Sequence, residues 1–376
     1  MRHTGYSRIA RCDRMRRGWV RDVALLCGLM AGCAAMLPGR VAAQATAQRP
    51  ASIVIFPKVI ADGTRDTVIQ LTNATNNFRS ALCLYLDGSL TFPNLPQSPS
   101  NPPRCTQTNF DLSLLPQQPT SWVASKGRAV DAADPAGTDP GLIPPVMSGF
   151  EGALFCVELD SSGAPVSGNS LIGTATLQNT ASGDVAQYSA IGLRGLATND
   201  GDATLCLGDS VTPTCPLGAE YDGCPEEWSL DHLAEGAQDS VAGAGSAVHT
   251  ELTVVPCAQD FNLANPTSVS LSVQVRNEFE QPFSASTTVD CWMNDELGQI
   301  GSGGPNPPFA FSTLGTTYAL TSFLLNPGQS GVAMVAQEFH VDAVNALSTS
   351  AATNVHVGST PPAAPRSDQM TLPPRF

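Results

Sequence analysis

The sequence predicts an all-β protein made of two related β-sandwich units with immunoglobulin-like, Greek-key order, long Pro/Gly-rich loops and little helix. Short runs of alternating apolar and polar residues recur, separated by clusters of Gly, Pro, Asn, Asp and Ser. The clearest run is 269–275, where Val or Leu occupies every second position. No long stretch has apolar residues at the three-to-four spacing of a helix. A single barrel is the alternative architecture.

Two related units are predicted because residues 66–87 resemble residues 268–295. Each copy runs from an alternating strand through Asn and a polar turn to Phe, then through a second strand with Cys to Asp. These landmarks are Asn73, Phe78, Cys83 and Asp87 in the first copy and Asn277, Phe283, Cys291 and Asp295 in the second. We interpret both copies as β-hairpins, and two further pairs of segments match in the same order. The further pairs are 51–60 with 251–256, and 152–158 with 331–338.

The repeat divides the chain into a first β-sandwich domain over residues 51–248, with extra strands and loops, and a second over 249–357. Residues 51–60 are β-branched and apolar and contain Pro57, which favours an edge strand. The best helix candidate is 225–235, where a Pro and early acidic residues are typical of a first turn. Residues 358–376 contain five prolines and no apolar period, which predicts a disordered tail.

The amino-terminal residues have the pattern of a secretory signal peptide. A basic region precedes an apolar run over 23–37, which is too short to span a bilayer, and Val41-Ala42-Ala43 forms a small-x-small site. We therefore expect residues 1–43 to be removed and the protein to lie in the periplasm, at the cell surface or outside the cell. Three alternatives are open: a start at Met15, a twin-arginine signal at Arg16-Arg17, and an imperfect lipobox that would place a lipid on Cys33. No transmembrane segment is predicted.

The charge of the chain excludes some partners. Of the 19 basic and 33 acidic residues, segment 1–43 holds eight Arg and two Asp, so the remaining chain has 11 basic and 31 acidic residues and a net charge of −20. Such a surface repels phosphate backbones and anionic headgroups, so we expect no binding to nucleic acid or to membrane surfaces by charge.

The cysteines predict a disulfide framework. Eight of the 11 cysteines follow residue 43, and an even number in an exported chain indicates disulfides. No pair has the short spacing that places two thiolates on one zinc ion. Eight cysteines allow about 105 pairings, and closure entropy and strand neighbourhood favour one set among them. The favoured pairs are Cys83 with Cys105, Cys156 with Cys206, Cys215 with Cys224, and Cys257 with Cys291.

One short motif suggests a nucleophile. Residues 208–212, Gly-Asp-Ser-Val-Thr, are similar to the nucleophile block of secreted GDSL-type esterases, in which the serine equivalent to Ser210 attacks an acyl carbon. That family carries the block near its start, on an α/β fold, with a late Asp-x-x-His that supplies the base. This chain has none of these features, so we predict a turn between Cys206 and Cys215 and no catalytic residue. A hydrolase that uses Ser210 is the alternative.

Two patterns offer metal ligands. His249 with Glu251, and Glu338 with His340, stand two residues apart, so on a strand each pair shares one face. The two pairs would bind a metal only if they met. In two loops, Asp and Asn residues that could supply the oxygen ligands preferred by Ca²⁺ lie close together in sequence, although neither loop has the EF-hand register. These are Asn199, Asp200, Asp202 and Asp209 in one loop and Asp131, Asp134 and Asp139 in the other. Solvated turns are the expected role, structural calcium is the alternative, and no other cofactor is predicted.

Three tryptophans follow residue 43, and an exposed set would suit a carbohydrate-binding face. Trp292 adjoins Cys291, so we expect it to pack over a disulfide in the core, and nothing in the sequence marks Trp122 or Trp228 as exposed.

Four segments resemble those of an uncharacterised family of secreted bacterial β-sandwich proteins with no known activity. They are 53–59 (IVIFPKV), 66–73 (DTVIQLTN), 218–224 (GAEYDGC) and 277–283 (NEFEQPF). The resemblance implies export and a shared scaffold, and it assigns no role to a residue. The duplicated hairpins, the eight cysteines and the absence of a catalytic pattern predict a non-enzymatic structural or interaction module of the cell envelope or surface, with a protein or glycan partner.

Overall fold

The computed structural model describes residues 49–374, except for short gaps. The gaps are 94, 96, 99, 135–136, 197–198, 209–210, 212, 214, 240–244, 305, 342–347 and 358–366. The predicted signal peptide, with Cys33, lies outside the described residues and stays a prediction. All described residues belong to one compact unit over 43–376. No helix among them is long and apolar enough to cross a membrane.

The described chain is all-β, as predicted. Its helical elements are one 3₁₀ turn, Leu297–Gln299, and one short helix, α1 (Phe311–Leu314). The strands are β1 (Ile53–Ala61), β2 (Arg65–Asn73), β3 (Arg79–Asp87), β4 (Thr106–Leu114), β5 (Pro119–Val123), β6 (Phe150–Leu159), β7 (Leu171–Asn179), β8 (Val185–Ser189), β9 (Ile191–Leu193), β10 (Thr204–Gly208), β11 (Glu227–Leu233), β12 (Ala247–Pro256), β13 (Ser268–Asn277), β14 (Pro282–Asp290), β15 (Met293–Glu296), β16 (Tyr318–Leu325), β17 (Val332–Val341), β18 (Ser348–Asn354), β19 (His356–Val357) and β20 (Ser367–Thr371).

These strands form four antiparallel sheets. A nine-stranded sheet has the order β4-β3-β6-β1-β2-β7-β8, with β5 beside β2 and β9 beside β1. A five-stranded sheet has the order β14-β13-β16-β11-β19, a four-stranded sheet the order β15-β12-β17-β18, and β10 pairs with β20. The predicted domain boundary after residue 248 falls inside β12, and the division into two domains stays a prediction.

The nine-stranded sheet is buried on both faces around β1. Ile53 and Ile55 belong to one apolar core, shared with the other sheets, whereas Val54 and Phe56 belong to a second core built mainly from the nine-stranded sheet, with Val335 of β17. Strands covered on both faces consist of nearly continuous apolar residues, as β1 does. The prediction that β1 is an edge strand is wrong, because β1 lies between β6 and β2 in the sheet. Pro57 is tolerated because it lies at a β-bulge, where the pairing with β6 shifts between Phe56 and Val59.

The two predicted hairpins differ. β13 and β14 form a hairpin, but β2 and β3 do not pair with each other: β2 lies beside β1, β5 and β7, whereas β3 lies between β4 and β6. The reason is composition, because β3 is apolar along most of its length and is inserted into the sheet, whereas β14 alternates with Ser and Thr and stays outside. Asn73 and Asn277 are both buried and bond the turn that follows each of them. The other matched segments also pair alike, β1 with β6 and β12 with β17. The internal repeat itself stays a prediction.

Two further predictions are wrong. Residues 227–233 form β11 rather than a helix, because Trp228, Leu230 and His232 alternate on one buried face. Residues 367–371 form β20 rather than a disordered tail, since Met370 and Leu372 are buried in the core. Residues 358–366 lie outside the described part.

All eight predicted cysteines form disulfides, but the four favoured pairings are wrong. Cys83 and Cys156 lie directly opposite each other on β3 and β6. Because closure entropy grows slowly with loop length, register in the sheet outweighs nearness in sequence. The observed bonds are Cys83–Cys156, Cys105–Cys291, Cys206–Cys215 and Cys224–Cys257.

Candidate functional site

The candidate interaction site is the outer edge of β14. This nine-residue strand pairs with β13 from Arg276 opposite Pro282 to Ser268 opposite Asp290. No strand among the described residues lies on its other side. Between Pro282 and Asp290 the strand has no charged side chain, and its sequence is Phe-Ser-Ala-Ser-Thr-Thr-Val.

Hydrogen bonds at both ends of the hairpin fix which backbone groups of β14 face outward. The Asn277 N–H donates to the Gln281 carbonyl at 3.3 Å, and the Cys291 N–H donates to the Thr267 carbonyl at 2.9 Å. Hydrogen-bonded and non-bonded pairs alternate along an antiparallel ladder. The residues that direct N–H and C=O groups away from β13 are therefore Ser284, Ser286 and Thr288. Their side chains are exposed as well.

The inner side of the edge is apolar. Phe283 and Ala285 are only partly buried and pack against the larger core. Gly301 approaches Ala285 so closely that a Cβ at that glycine would lie 2.7 Å from the Ala285 Cβ. The remaining exposed parts of Phe283 and Ala285 form an apolar border beneath the outward backbone groups.

Other outer strands carry the protection that exposed edges usually have. On β4, the Ser113 N–H donates to the Pro140 carbonyl at 2.8 Å. At β8, the Asn354 amide bonds both the N–H and the C=O of Ser189, at 3.1 and 2.7 Å. Among the described residues, no backbone hydrogen bond from another segment reaches Ser284, Ser286 or Thr288 on β14.

An ion cluster around the fully buried Lys58 joins the β1 bulge to β12. The fully buried Lys58 ammonium donates to Glu251 Oε2 at 2.5 Å, and the Arg65 guanidinium bonds both oxygens of that carboxylate at 3.0 and 2.9 Å. Arg65 also pairs with Asp62 at 2.8 Å and Glu151 at 3.3 Å.

The ion cluster perturbs two pKa values. Burial acts to raise the pKa of Glu251, but the charges of Lys58 and Arg65 outweigh it and hold the pKa at about 2. Burial lowers the pKa of Lys58, although Glu251 opposes the shift. Since Lys58 has no solvent-exposed surface, we interpret the cluster as a structural connection rather than a catalytic group.

A second cluster contains ligand atoms of Glu235, His249 and Glu296, all within 4.8 Å of one another. Glu235 follows β11 and is buried, and its Oε1 accepts the Thr250 N–H at 2.7 Å. His249 Nδ1 lies 3.2 Å from Glu235 Oε2. Burial, with a smaller contribution from Glu296, raises the pKa of Glu235 to about 7, against the lowering effects of the Thr250 N–H and His249.

No protein-family model and no curated protein matches this chain. The resemblance to a secreted family therefore stays a prediction.

The two His/Glu pairs predicted from the sequence do not converge. In the pairing of β12 with β17, Glu338 lies opposite Thr250 and His340 opposite Val248. Glu338 and His340 therefore share a face with those residues and not with His249 and Glu251. His340 Nε2 instead lies 2.8 Å from Glu338 Oε1, and its Nδ1 lies 2.6 Å from Asp239 Oδ2.

The predicted calcium loops use their carboxylates locally. Asp139 accepts the backbone N–H groups of Asp131 and Gly141, and Asp134 accepts those of Thr138 and Asp139. In the other loop, Asp200 accepts the N–H of Asp202, which accepts that of Thr204. Asp209 lies outside the described residues. These bonds account for the acidic side chains as turn-forming groups, and structural calcium stays a prediction.

All three tryptophans are buried, which removes the flat exposed indoles that a tryptophan-based sugar site needs. Trp122 donates to the Tyr85 hydroxyl at 2.6 Å, Trp228 to the Val332 carbonyl at 3.1 Å and Trp292 to the Pro57 carbonyl at 2.8 Å. The expected core position of Trp292 is confirmed.

The lining of one cleft among the described residues holds no acid–base pair. Ser210 lies outside the described residues. A cleft of about 290 Å³ lies between segments 162–165, 201–203 and 372–374, over Leu82 and Leu159, and Asp202 is the one ionisable side chain among its described lining residues.

Sequence reasoning missed two features of the site. The uncharged alternation in 283–289 was a visible signal for an exposed edge strand. Glu235 carried no signal, because its contacts with His249 and Glu296 depend on tertiary packing.

Proposed function

We propose that this protein is an exported, disulfide-bonded, non-enzymatic interaction module of the cell envelope or surface, which binds an extended segment of a partner protein along β14. The observation that carries this proposal is the open, uncharged β14 edge with three residues whose backbone groups point outward. Adding a strand to such an edge gives affinity through main-chain hydrogen bonds. The four disulfides support export, because such bonds persist in oxidising compartments.

The chemistry of the edge describes the partner segment. Alternate side chains of an added strand point to opposite faces, so those on the inner face would cover Phe283 and Ala285. We therefore propose an extended segment with apolar residues at every second position. A second copy of this chain is disfavoured as the partner, because each exported copy without residues 1–43 carries 11 basic and 31 acidic residues, a net charge of −20.

The edge is also held in place before binding. Cys291 directly follows β14 and is bonded to Cys105, which precedes β4 in the nine-stranded sheet. The Cys291 N–H bond to Thr267 closes the end of the hairpin. A strand fixed in this way loses little conformational freedom on association, which favours affinity.

The experiment that tests the proposal places a photo-crosslinking amino acid at Ser286 and, as a control, at Ser270 on the neighbouring strand β13 of the exported protein. We expect a crosslinked partner from Ser286 in native envelope and none from Ser270. Ser286→Pro removes an outward N–H without breaking a bond to β13 and should abolish the crosslink formed from a second probe at Ser284. Ser286→Ala keeps the N–H and should retain that crosslink.

The proposal fails if Ser286 and Ser270 give the same products, or if Ser286→Pro leaves the Ser284 crosslink unchanged. A crosslink of Ser286 to a second copy of this chain would contradict the partner assignment. Turnover of ester, glycoside or peptide substrates by the purified protein would contradict the non-enzymatic assignment.

A further inference from the structure

The Glu235, His249 and Glu296 side chains come from three separate elements. Glu235 lies in the loop after β11, His249 on β12, and Glu296 at the end of β15, where it precedes the 3₁₀ turn. His249 shares a face of β12 with Glu251, and Glu296 lies directly opposite Glu251 on β15. The pairing of β12 with β15 therefore brings His249 and Glu296 to one face, and the loop adds Glu235.

Glu235 is oriented as a metal ligand would be. The Thr250 N–H holds Oε1 at 2.7 Å and leaves Oε2 directed to His249. Such hydrogen bonds to the outer atoms of a ligand fix its position. Because Glu235 is more than nine-tenths buried, its carboxylate has few alternative rotamers.

The spacing of the first two ligand atoms fits one small ion. Zinc bonds to His nitrogen and carboxylate oxygen are about 2.0–2.1 Å long, and two such ligands at the tetrahedral angle lie roughly 3.3 Å apart. His249 Nδ1 and Glu235 Oε2 are 3.2 Å apart. The Glu296 carboxylate is exposed, so it can approach by rotation.

The charge of the cluster is not balanced by neighbouring cations. Glu251 is paired with both Lys58 and Arg65, whereas no lysine or arginine in the described part of the chain pairs with Glu235 or Glu296. When both are ionised, the Glu235 and Glu296 carboxylates carry two negative charges. A divalent cation would neutralise both.

We propose that Glu235, His249 and Glu296 bind one divalent transition-metal ion of the zinc class. One imidazole nitrogen with two carboxylates suits zinc, whereas Ca²⁺ requires six to eight oxygen ligands. Three protein ligands leave one position for water in a tetrahedral site. This site is independent of the β14 edge.

The test uses the disulfide-bonded protein after treatment with a chelator and dialysis. Calorimetric titration with ZnCl₂ should give one ion per chain, and CaCl₂ should give no comparable heat. Glu296→Gln should weaken zinc binding at least about tenfold, as should Glu235→Gln. Because Glu296 is exposed, Glu296→Gln leaves the fold intact, which thermal unfolding checks.

Glu338→Gln is the matched control, since Glu338 also adjoins a histidine but lies on the other face of the sheet. It should bind zinc as the wild type does. Co²⁺ should give the visible absorption of a low-coordinate site in the wild type, and Glu296→Gln should lose it. The proposal is overturned by zinc binding that is absent, that is unchanged in both Glu235→Gln and Glu296→Gln, or that is lost in Glu338→Gln.

Discussion

Removing one partner of the buried Lys58–Glu251 pair should strongly destabilise the protein. In Glu251→Gln, the fully buried Lys58 loses the carboxylate 2.5 Å from its ammonium group, so the buried amine has no counter-ion at that distance. Breaking a buried pair on one side costs about 3–5 kcal/mol, out of a total stability of about 5–15 kcal/mol. Lys58→Met combined with Glu251→Gln removes the buried charge, while Arg65 keeps Asp62 and Glu151. The double variant should therefore be more stable than Glu251→Gln by at least about 1 kcal/mol.

Urea denaturation of the disulfide-bonded proteins near pH 7 measures both differences. The folded-state pKa of Glu251, about 2, lies below its ordinary value of 4.5. The ionised Glu251 carboxylate therefore contributes to the free energy of unfolding above pH 4.5, and this contribution is lost as the pH falls from 4.5 to 2. Glu251→Gln should lack this loss. A cost below about 1 kcal/mol for Glu251→Gln, or a double variant less stable than the single one, would refute the reasoning.

The remaining predictions concern a raised pKa and the disulfides. In metal-free protein, the raised pKa of Glu235 contributes to the free energy of unfolding below pH 4.5, and this contribution is lost as the pH rises through about 7. The free energy of unfolding of Glu235→Gln should therefore fall less than that of the wild type between pH 4.5 and 7. Parallel pH curves for the two proteins would contradict this. The Cys105–Cys291 bond closes a sequence separation of 186 residues and the Cys206–Cys215 bond one of 9 residues. Loop entropy therefore predicts that replacing both cysteines by alanine lowers the free energy of unfolding by about 5 kcal/mol for the first bond and by about 2.5 kcal/mol for the second. Equal urea midpoints for the two alanine variants would argue against this model. The exported protein should show no free thiol to a thiol reagent, whereas protein made in a reducing cytoplasm should be unfolded or insoluble; a folded, thiol-rich exported sample would be the contrary result.

Local patterns predicted strands well where one face is polar. The alternation of Val269, Leu271 and Val273 in β13 reports burial on one side directly. The same signal was present in β11, but Pro225 and the acidic residues after it also fit a helical first turn. Only packing of Trp228 in the core distinguishes the two structures.

Features set by long-range packing were not predictable. β1 is central because β6 and β2 lie on either side of it, and an apolar strand with proline gives no information on how many strands pair with it. The disulfides follow sheet register, as Cys83 opposite Cys156 shows. The Glu235 cluster is formed by side chains from three elements, so its geometry could not be inferred from sequence spacing. Spacing alone also could not show that Glu338 and His340 lie on the opposite face of the sheet from His249.

Hydrogen exchange of β14 tests the central claim most directly. In the isolated protein, the outward N–H groups of Ser284, Ser286 and Thr288 have no partner strand among the described residues and should exchange rapidly. In the complex captured from native envelope, we predict slower exchange over Pro282–Asp290 and unchanged exchange in Thr106–Leu114, the protected edge of the other large sheet. A stable complex that leaves the exchange of Pro282–Asp290 unchanged would contradict the account.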